Sequence, residues 1–243
     1  MIPQRFFLPR WAMSARFAIY LVPSSGSALW ERGCLWLGRD PESGASYTQP
    51  AVPGFAADEI LAITHSPRTY GFHGTLKAPF RLGRGVDEGE LLDRVGRLAA
   101  ALPAVAMPEL RVDRLNGFLA LVPAGASTAV EALAAQCVTR LDAVRAPLEF
   151  AERERRLSSN LTPRQQKLLE QWGYPYVLEE FQFHMTVSGP VDSGQADRLQ
   201  PWIEQWFAPA LAAPSAPADI AVFVQPAPGA EFALRRRFGM KKA

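Results

Sequence analysis

Two cysteines and three histidines are all that this 243-residue chain holds of the side chains most used for soft-metal ligation and nucleophilic chemistry. Cys34 and Cys137 stand far apart, in neither a C-x-x-C nor any other metal-ligand spacing. That argues against a disulfide scaffold and a cysteine-ligated zinc site, and makes a reducing, cytoplasmic setting the expectation. Long apolar runs are also missing, and none approaches the roughly 20 residues that cross a bilayer. The leader MIPQRFFLPRWAMSAR lacks a long apolar segment and a small-residue cleavage site, so no signal peptide is expected. Met13 stands as an alternative start, and residues 1–15 read as a disordered extension. Charge of one sign is not in excess either: 26 Lys and Arg face 24 Asp and Glu, a net charge of +2. With a pI of about 8.7, the bias is compatible with a phosphate-bearing ligand and too mild for a dedicated nucleic-acid binder.

What is present is ordinary globular composition, 48% hydrophobic and 21% charged, in a length that suits one large domain or two packed lobes. RFAIYLV at 16–22 alternates like a strand and ends at Pro23. Ser25 or Ser27 is placed to cap a helix carrying Leu29, Trp30, Leu35 and Trp36. AADEILAIT, VDEGELLDRVGRLAAAL and STAVEALAAQCVTRLDAV read as helices. TPRQQKLLEQWG carries a threonine cap, a proline at the first helical position and a closing Gly173. Asn116-Gly117 between alternating runs predicts a hairpin, because both residues tolerate positive φ. SGQADRLQPWIEQWF reads as a helix that Pro201 interrupts, APSAPA at 213–218 as a linker, and DIAVFVQ with EFALRRRF as a hairpin or a pair of edge strands. Hairpins with interspersed helices give an α+β class.

The informative feature is an octet that occurs twice, FHGTLKAP at 72–79 and FHMTVSGP at 183–190. Two of the three histidines take its second position. In an extended strand, His73, Thr75 and Lys77 share one face, and His184, Thr186 and Ser188 share one face, opposite an apolar file. Either octet alone is weak; the pair points to function. Two imidazoles near neutral pH suit complementary proton transfers, and threonine hydroxyls with nearby cations hold developing charge. Lys77 and Arg68 are candidates for neutralising a phosphate. Tyr20, opposite Phe17, Ile19 and Leu21, is read as facing the site or lying in the core, and Ser188 as the symmetry partner of Lys77. His65 lacks the motif and reads as surface. RERRLSSN at 153–160 reads as a solvated face or a recruiter of a phosphorylated ligand, and RRRFGMKKA as a flexible basic tail.

The paired His-x-Thr motifs resemble those of the two-histidine (2H) phosphoesterase superfamily. RFAIYLVP, LWLGRDPESG, SPRTYGFHGTLKAPF, GFLALVPAG, LTPRQQKLLEQWGYPYV and EEFQFHMTVSGP are similar to one branch of it, found with bacterial phosphonate-degradation genes. The resemblance implies a bilobal, pseudo-twofold α+β domain over 16–238, with two antiparallel sheets flanked by helices around a central cleft and a basic tail at 239–243. It implies catalytic roles for His73, Thr75, His184 and Thr186, no metal and no cofactor. The expected activity is cyclic phosphodiester hydrolysis on a cyclic ribose phosphate. RNA 2′,3′-cyclic-end processing and non-catalytic binding of a phosphorylated metabolite are the alternatives. The expected partner is a small phosphorylated substrate, with RNA second and no membrane.

Overall fold

The computed structural model describes residues 15–213 and 217–241. In chain order the elements are β1 (Arg16–Pro23), α1 (Ala28–Leu37), α2 (Ala57–Tyr70), β2 (Gly74–Phe80), α3 (Glu88–Ala101), β3 (Leu110–Leu115), β4 (Phe118–Pro123), α4 (Thr128–Arg140), α5 (Phe150–Leu157), α6 (Pro163–Trp172), β5 (Met185–Thr186), α7 (Ser193–Leu211), β6 (Ala218–Gln225) and β7 (Ala233–Phe238). The α+β class is as expected. The sheet is not: the strands form one seven-stranded sheet, order β3-β4-β5-β2-β1-β6-β7, where two sheets were expected. Every neighbouring pair is antiparallel. The two octet strands are immediate neighbours at the middle, so the two halves of the expected bilobal domain join edge to edge through β2 and β5. That pairing satisfies backbone groups that two separate sheets would leave at open edges.

Local chemistry explains most boundaries. Ser27 Oγ accepts from the Trp30 N–H, and Gly38 closes α1 at φ 70°. Thr162 and Gln165 form a reciprocal capping box on α6, which Gly173 ends at φ 75°. The helix expected to break at Pro201 instead runs through Pro201 and Pro209. Ile203 and Phe207 of α7 are fully buried, and their packing outweighs the backbone hydrogen bonds the prolines remove. The 1–14 part of the expected N-terminal extension and 214–216 of the linker lie outside the described residues. Residues 239–241 do not hang free: Met240 is buried, and Lys241 exchanges backbone hydrogen bonds with Leu102 and Ala104.

The Asn116-Gly117 hairpin forms, with Leu115 facing Phe118 across the turn and φ values of 49° and 87°. A side chain at Gly117 meets open space, so its cost is purely conformational. Gly117→Ala is expected to lower unfolding free energy by about 1–2 kcal/mol, read from urea midpoints at unchanged m-value.

Candidate functional site

The site begins with alternation. Phe72, Gly74 and Leu76 are buried while His73 and Thr75 are half-buried; Phe183, Met185 and Val187 are buried while His184 and Thr186 are half-buried. The apolar file packs on the side of α1 and α7, where Phe72 stacks on Phe207 and the Trp36 indole donates to the Val187 carbonyl. The polar file faces the other way. Gly74 pairs with Met185. Continuing that antiparallel register one residue each way sets His73 opposite Thr186 and Thr75 opposite His184. A local twofold between two adjacent strands thus gathers both motifs on one face.

Both imidazoles are anchored in the same manner. His73 Nδ1 lies 2.8 Å from the Gly71 carbonyl, and His184 Nδ1 lies 2.8 Å from the Gln182 carbonyl. A carbonyl only accepts, so each Nδ1 carries the proton and each Nε2 is left with its lone pair. His73 Nε2 is 3.2 Å from the Thr75 hydroxyl, which donates to it. His184 Nε2 has no partner among the described residues. Burial holds both rings below the usual imidazole range. His73 is pushed down to about 4, with the Gly71 hydrogen bond acting upward and the His184 charge downward; His184 is lowered by burial against the Gln182 hydrogen bond. Tyr20, 1% exposed, stacks under His73 at 3.6 Å between ring centroids. It fixes the imidazole plane and excludes water from one side.

Thr75 and His184 line a cleft of about 590 Å³ whose other walls include Phe118, Gln165, Tyr174, Tyr176, Glu180 and Gln182. Of these wall residues, none was singled out in the sequence. Tyr174 and Tyr176 arrive on a loop after α6, and only their two-residue spacing hints at a shared direction.

The remaining candidates go elsewhere. Lys77 is 4% exposed and bonds the Val138 carbonyl and Asp142. Thr75 pairs with Tyr20 but Lys77 with Ile19, so an extra residue in β2 turns Lys77 off the histidine face. Ser188 departs for a parallel reason. The Val187 and Ser188 N–H groups both donate to the Leu119 carbonyl, and Ser188 Oγ bridges the Leu119 N–H and the Gly189 carbonyl. Arg68 bonds the Leu37 and Gly38 carbonyls and pairs with Glu231. His65 is exposed.

The depressed His73 value has a sign. The unfolded ring takes a proton near 6.5 and the folded ring near 4, so the unfolded state binds more protons between these values. Stability from neutral His73 is therefore present above about 6.5, lost progressively as pH falls to about 4, and constant below. His73→Asn is expected to flatten this segment of a stability-versus-pH curve, measured by urea denaturation at fixed salt.

A protein-family profile described as "Protein of unknown function (DUF1045)" matches residues 75–233. The chain is 39% identical over 221 residues to a protein of Janthinobacterium sp. (strain Marseille) named ribose 1,5-bisphosphate phosphokinase PhnN, covering 89% of this chain and 49% of that protein. It is 34% identical over 226 residues to a protein of the same name from Laribacter hongkongensis (strain HLHK9), covering 91% of this chain and 51% of that one. The chain spans about half the length of the curated relatives it matches. These matches support the phosphonate-associated branch of the resemblance. They correct the expected chemistry: the relatives are named as kinases, which transfer a phosphoryl group, so the readings as a phosphodiester hydrolase, an RNA cyclic-end enzyme or a non-catalytic binder are set aside. No helix among the described residues is long and apolar enough to cross a membrane.

Proposed function

The chain belongs to the DUF1045 family of proteins of unknown function, and on that premise we propose that its cleft serves the acceptor side of phosphoryl transfer to a phosphorylated ribose. The observation that carries this reading is the pair of neutral imidazoles with Nδ1 tied to carbonyls, which leaves the Nε2 lone pair of His184 free among the described residues and that of His73 held by Thr75. An acceptor oxygen, whether a hydroxyl or a phosphate monoanion, becomes a better nucleophile as its proton is withdrawn. His184 Nε2 is the proposed base, because it faces the cleft without a partner. His73 is held by Thr75 and Tyr20, and its proposed role is to orient the acceptor with the Thr75 and Thr186 hydroxyls. The proton moves from the acceptor oxygen to His184 Nε2 as that oxygen attacks the phosphorus of a phosphoryl donor, and the donor's own P–O bond breaks, its oxygen leaving with the bonding pair.

The name shared by the two relatives supports a phosphorylated ribose as the ligand class and phosphoryl transfer as the reaction class. The twofold placement of the His-x-Thr motifs supports descent from the two-histidine superfamily, with transfer in place of hydrolysis. Phosphorus NMR of the chain with ribose 1,5-bisphosphate and a panel of phosphoryl donors tests the proposal. The expected result is a new acceptor resonance that requires both substrates. Absence of transfer from every donor, with no shift of either imidazole on adding the sugar phosphate, contradicts it.

Because burial lowers His184, the base stays unprotonated into mildly acid solution. The acid limb of kcat/KM is expected to fall below the ordinary imidazole value of about 6.5. A limb centred above 7 would contradict a buried neutral base.

A further inference from the structure

A phosphorylated ribose with two phosphates needs a second cationic site, and Lys77 and Arg68 are already committed to protein partners. Three arginines converge elsewhere along the same sheet. The register that pairs Phe17 with Phe80 brings Arg16 and Arg81 to adjacent strand ends. Along β1, Arg16 alternates onto the side of Tyr20, about 13 Å away at roughly 3.3 Å per residue. Arg81 Nη1 lies 3.2 Å from Glu152 Oε2, and Arg156 Nη2 lies 2.8 Å from Glu152 Oε1. Burial pushes the Glu152 carboxyl upward, yet the Arg156 hydrogen bond and the charges of Arg156, Arg81 and Arg16 together leave it below the usual range. Glu149, the other carboxylate on Arg81, is 64% exposed and 3.5 Å away. Two guanidinium groups, those of Arg81 and Arg156, therefore share the half-buried Glu152 carboxylate, and Arg16, whose Nε donates to Gln225 Oε1 at 2.8 Å, adds its charge nearby.

Two buried donors beside this cluster are unused. Arg156 Nε and Trp172 Nε1 have no acceptor within hydrogen-bond distance among the described residues. Buried donors without acceptors are costly, and a cluster with surplus positive charge and spare N–H groups matches an anion. Arg81, Glu152, Trp172 and Tyr174 also line a small void of about 20 Å³, room for little more than a water molecule. Helix α5, which carries Glu152 and Arg156, buries no residue. It is fastened by ion pairs rather than by buried apolar side chains, and the subsite proposed below requires it to shift to admit a larger group.

The cluster adjoins the histidine cleft. Arg156 lies over the Tyr174 ring at 5.2 Å, and Tyr174 is a wall of the cleft. Arg16 lies over Phe232, which stacks on Tyr70, and Tyr70 packs against His73.

We propose that Arg16, Arg81, Arg156 and the Trp172 indole form a second anion subsite that takes the distal phosphate of a bisphosphorylated sugar whose other end lies at His73 and His184. This rests on the reading of the cleft as a ribose-phosphate site. The subsite makes the protein selective for bisphosphates, and Glu152 holds Arg81 and Arg156 together until the phosphate competes for them.

Calorimetric titration with ribose 1,5-bisphosphate and ribose 5-phosphate tests it, with thermal melts to confirm folding. The wild-type chain is expected to bind the bisphosphate at least tenfold more tightly. Arg156→Gln and Arg16→Gln are each expected to remove most of that advantage while leaving monophosphate affinity within about twofold. Trp172→Phe, which keeps the ring and removes the N–H, is expected to lose part of it, and Arg155→Gln, an exposed neighbour on α5, none. A wild-type protein without bisphosphate preference, or arginine variants that keep it, overturns the subsite. In either case a monophosphate that still shifts the imidazole resonances leaves the proposed cleft function standing, so the two failures are told apart.

Discussion

His184→Ala is expected to lower the turnover of the proposed phosphoryl transfer by about 10²–10⁴-fold, the usual worth of a positioned general base, with little change in melting temperature. His184 is half-buried at the cleft, its Nε2 has no partner among the described residues, and its ring packs only loosely on Phe118 at 5.7 Å between centroids. Little packing is lost with it. His73→Ala is expected to be less selective. Its ring stacks on Tyr20 and sits near Tyr70 and Phe223, so truncation loosens a packed aromatic cluster as well as the Thr75 contact. The two substitutions thus separate by readout: loss of kcat at constant stability for His184, loss of both for His73. Equal loss of kcat with equal destabilisation in both variants would contradict the assignment of His184 as the base.

Gly74→Ala is expected to destabilise the fold by about 1–3 kcal/mol, the usual cost of forcing extra volume into a packed core. A Cβ at Gly74 would lie 2.3 Å from Phe183 Cε2. The ring cannot retreat easily, because Phe183 is itself buried. Gly74 stands opposite Met185 at the centre of the twofold, so displacing Phe183 also moves the residue that precedes His184. Activity should fall with stability. Replacing Phe183 by Leu in the same chain should recover part of the loss, a coupling that a double-mutant cycle of urea midpoints measures. Additive effects of the two substitutions would show that the close approach is not what makes glycine necessary there.

The His-x-Thr pairs were legible because alternation needs only two or three extended residues. His73 with Thr75 and His184 with Thr186 keep the predicted face. The third member of each file does not. An extra residue in β2 after Thr75 turns Lys77 inward to Asp142 and Val138, and the double donation of Val187 and Ser188 to the Leu119 carbonyl takes Ser188 out of line. Bulges leave no mark in a hydrophobicity pattern, so period-two reasoning overran by one position in both octets. β5 is accordingly short, Met185–Thr186 only. The Asn-Gly turn, the Thr162 cap and the Gly173 stop were legible because each is a local backbone requirement. The joining of both halves into one sheet was not, because strand adjacency between β2 and β5 is a long-range choice. The aromatic wall at Tyr174 and Tyr176 and the gathering of Arg16, Arg81 and Arg156 share that limit: their residues come from distant segments, and only the fold places them together.

The central claim is that a neutral His184 presents its Nε2 lone pair to a phosphorylated ribose while a neutral His73, its Nε2 held by Thr75, orients it. Long-range proton–nitrogen NMR of the three histidines at pH 7, with and without ribose 1,5-bisphosphate, tests it most directly. His65, exposed and outside the cleft, serves as the internal control. The expected spectrum shows His73 and His184 as Nδ1–H tautomers, neutral at pH 7, with both Nε2 resonances moving on addition of the sugar phosphate and His65 unmoved. Nε2–H tautomers, a charged ring at pH 7, or Nε2 resonances indifferent to the ligand would contradict it.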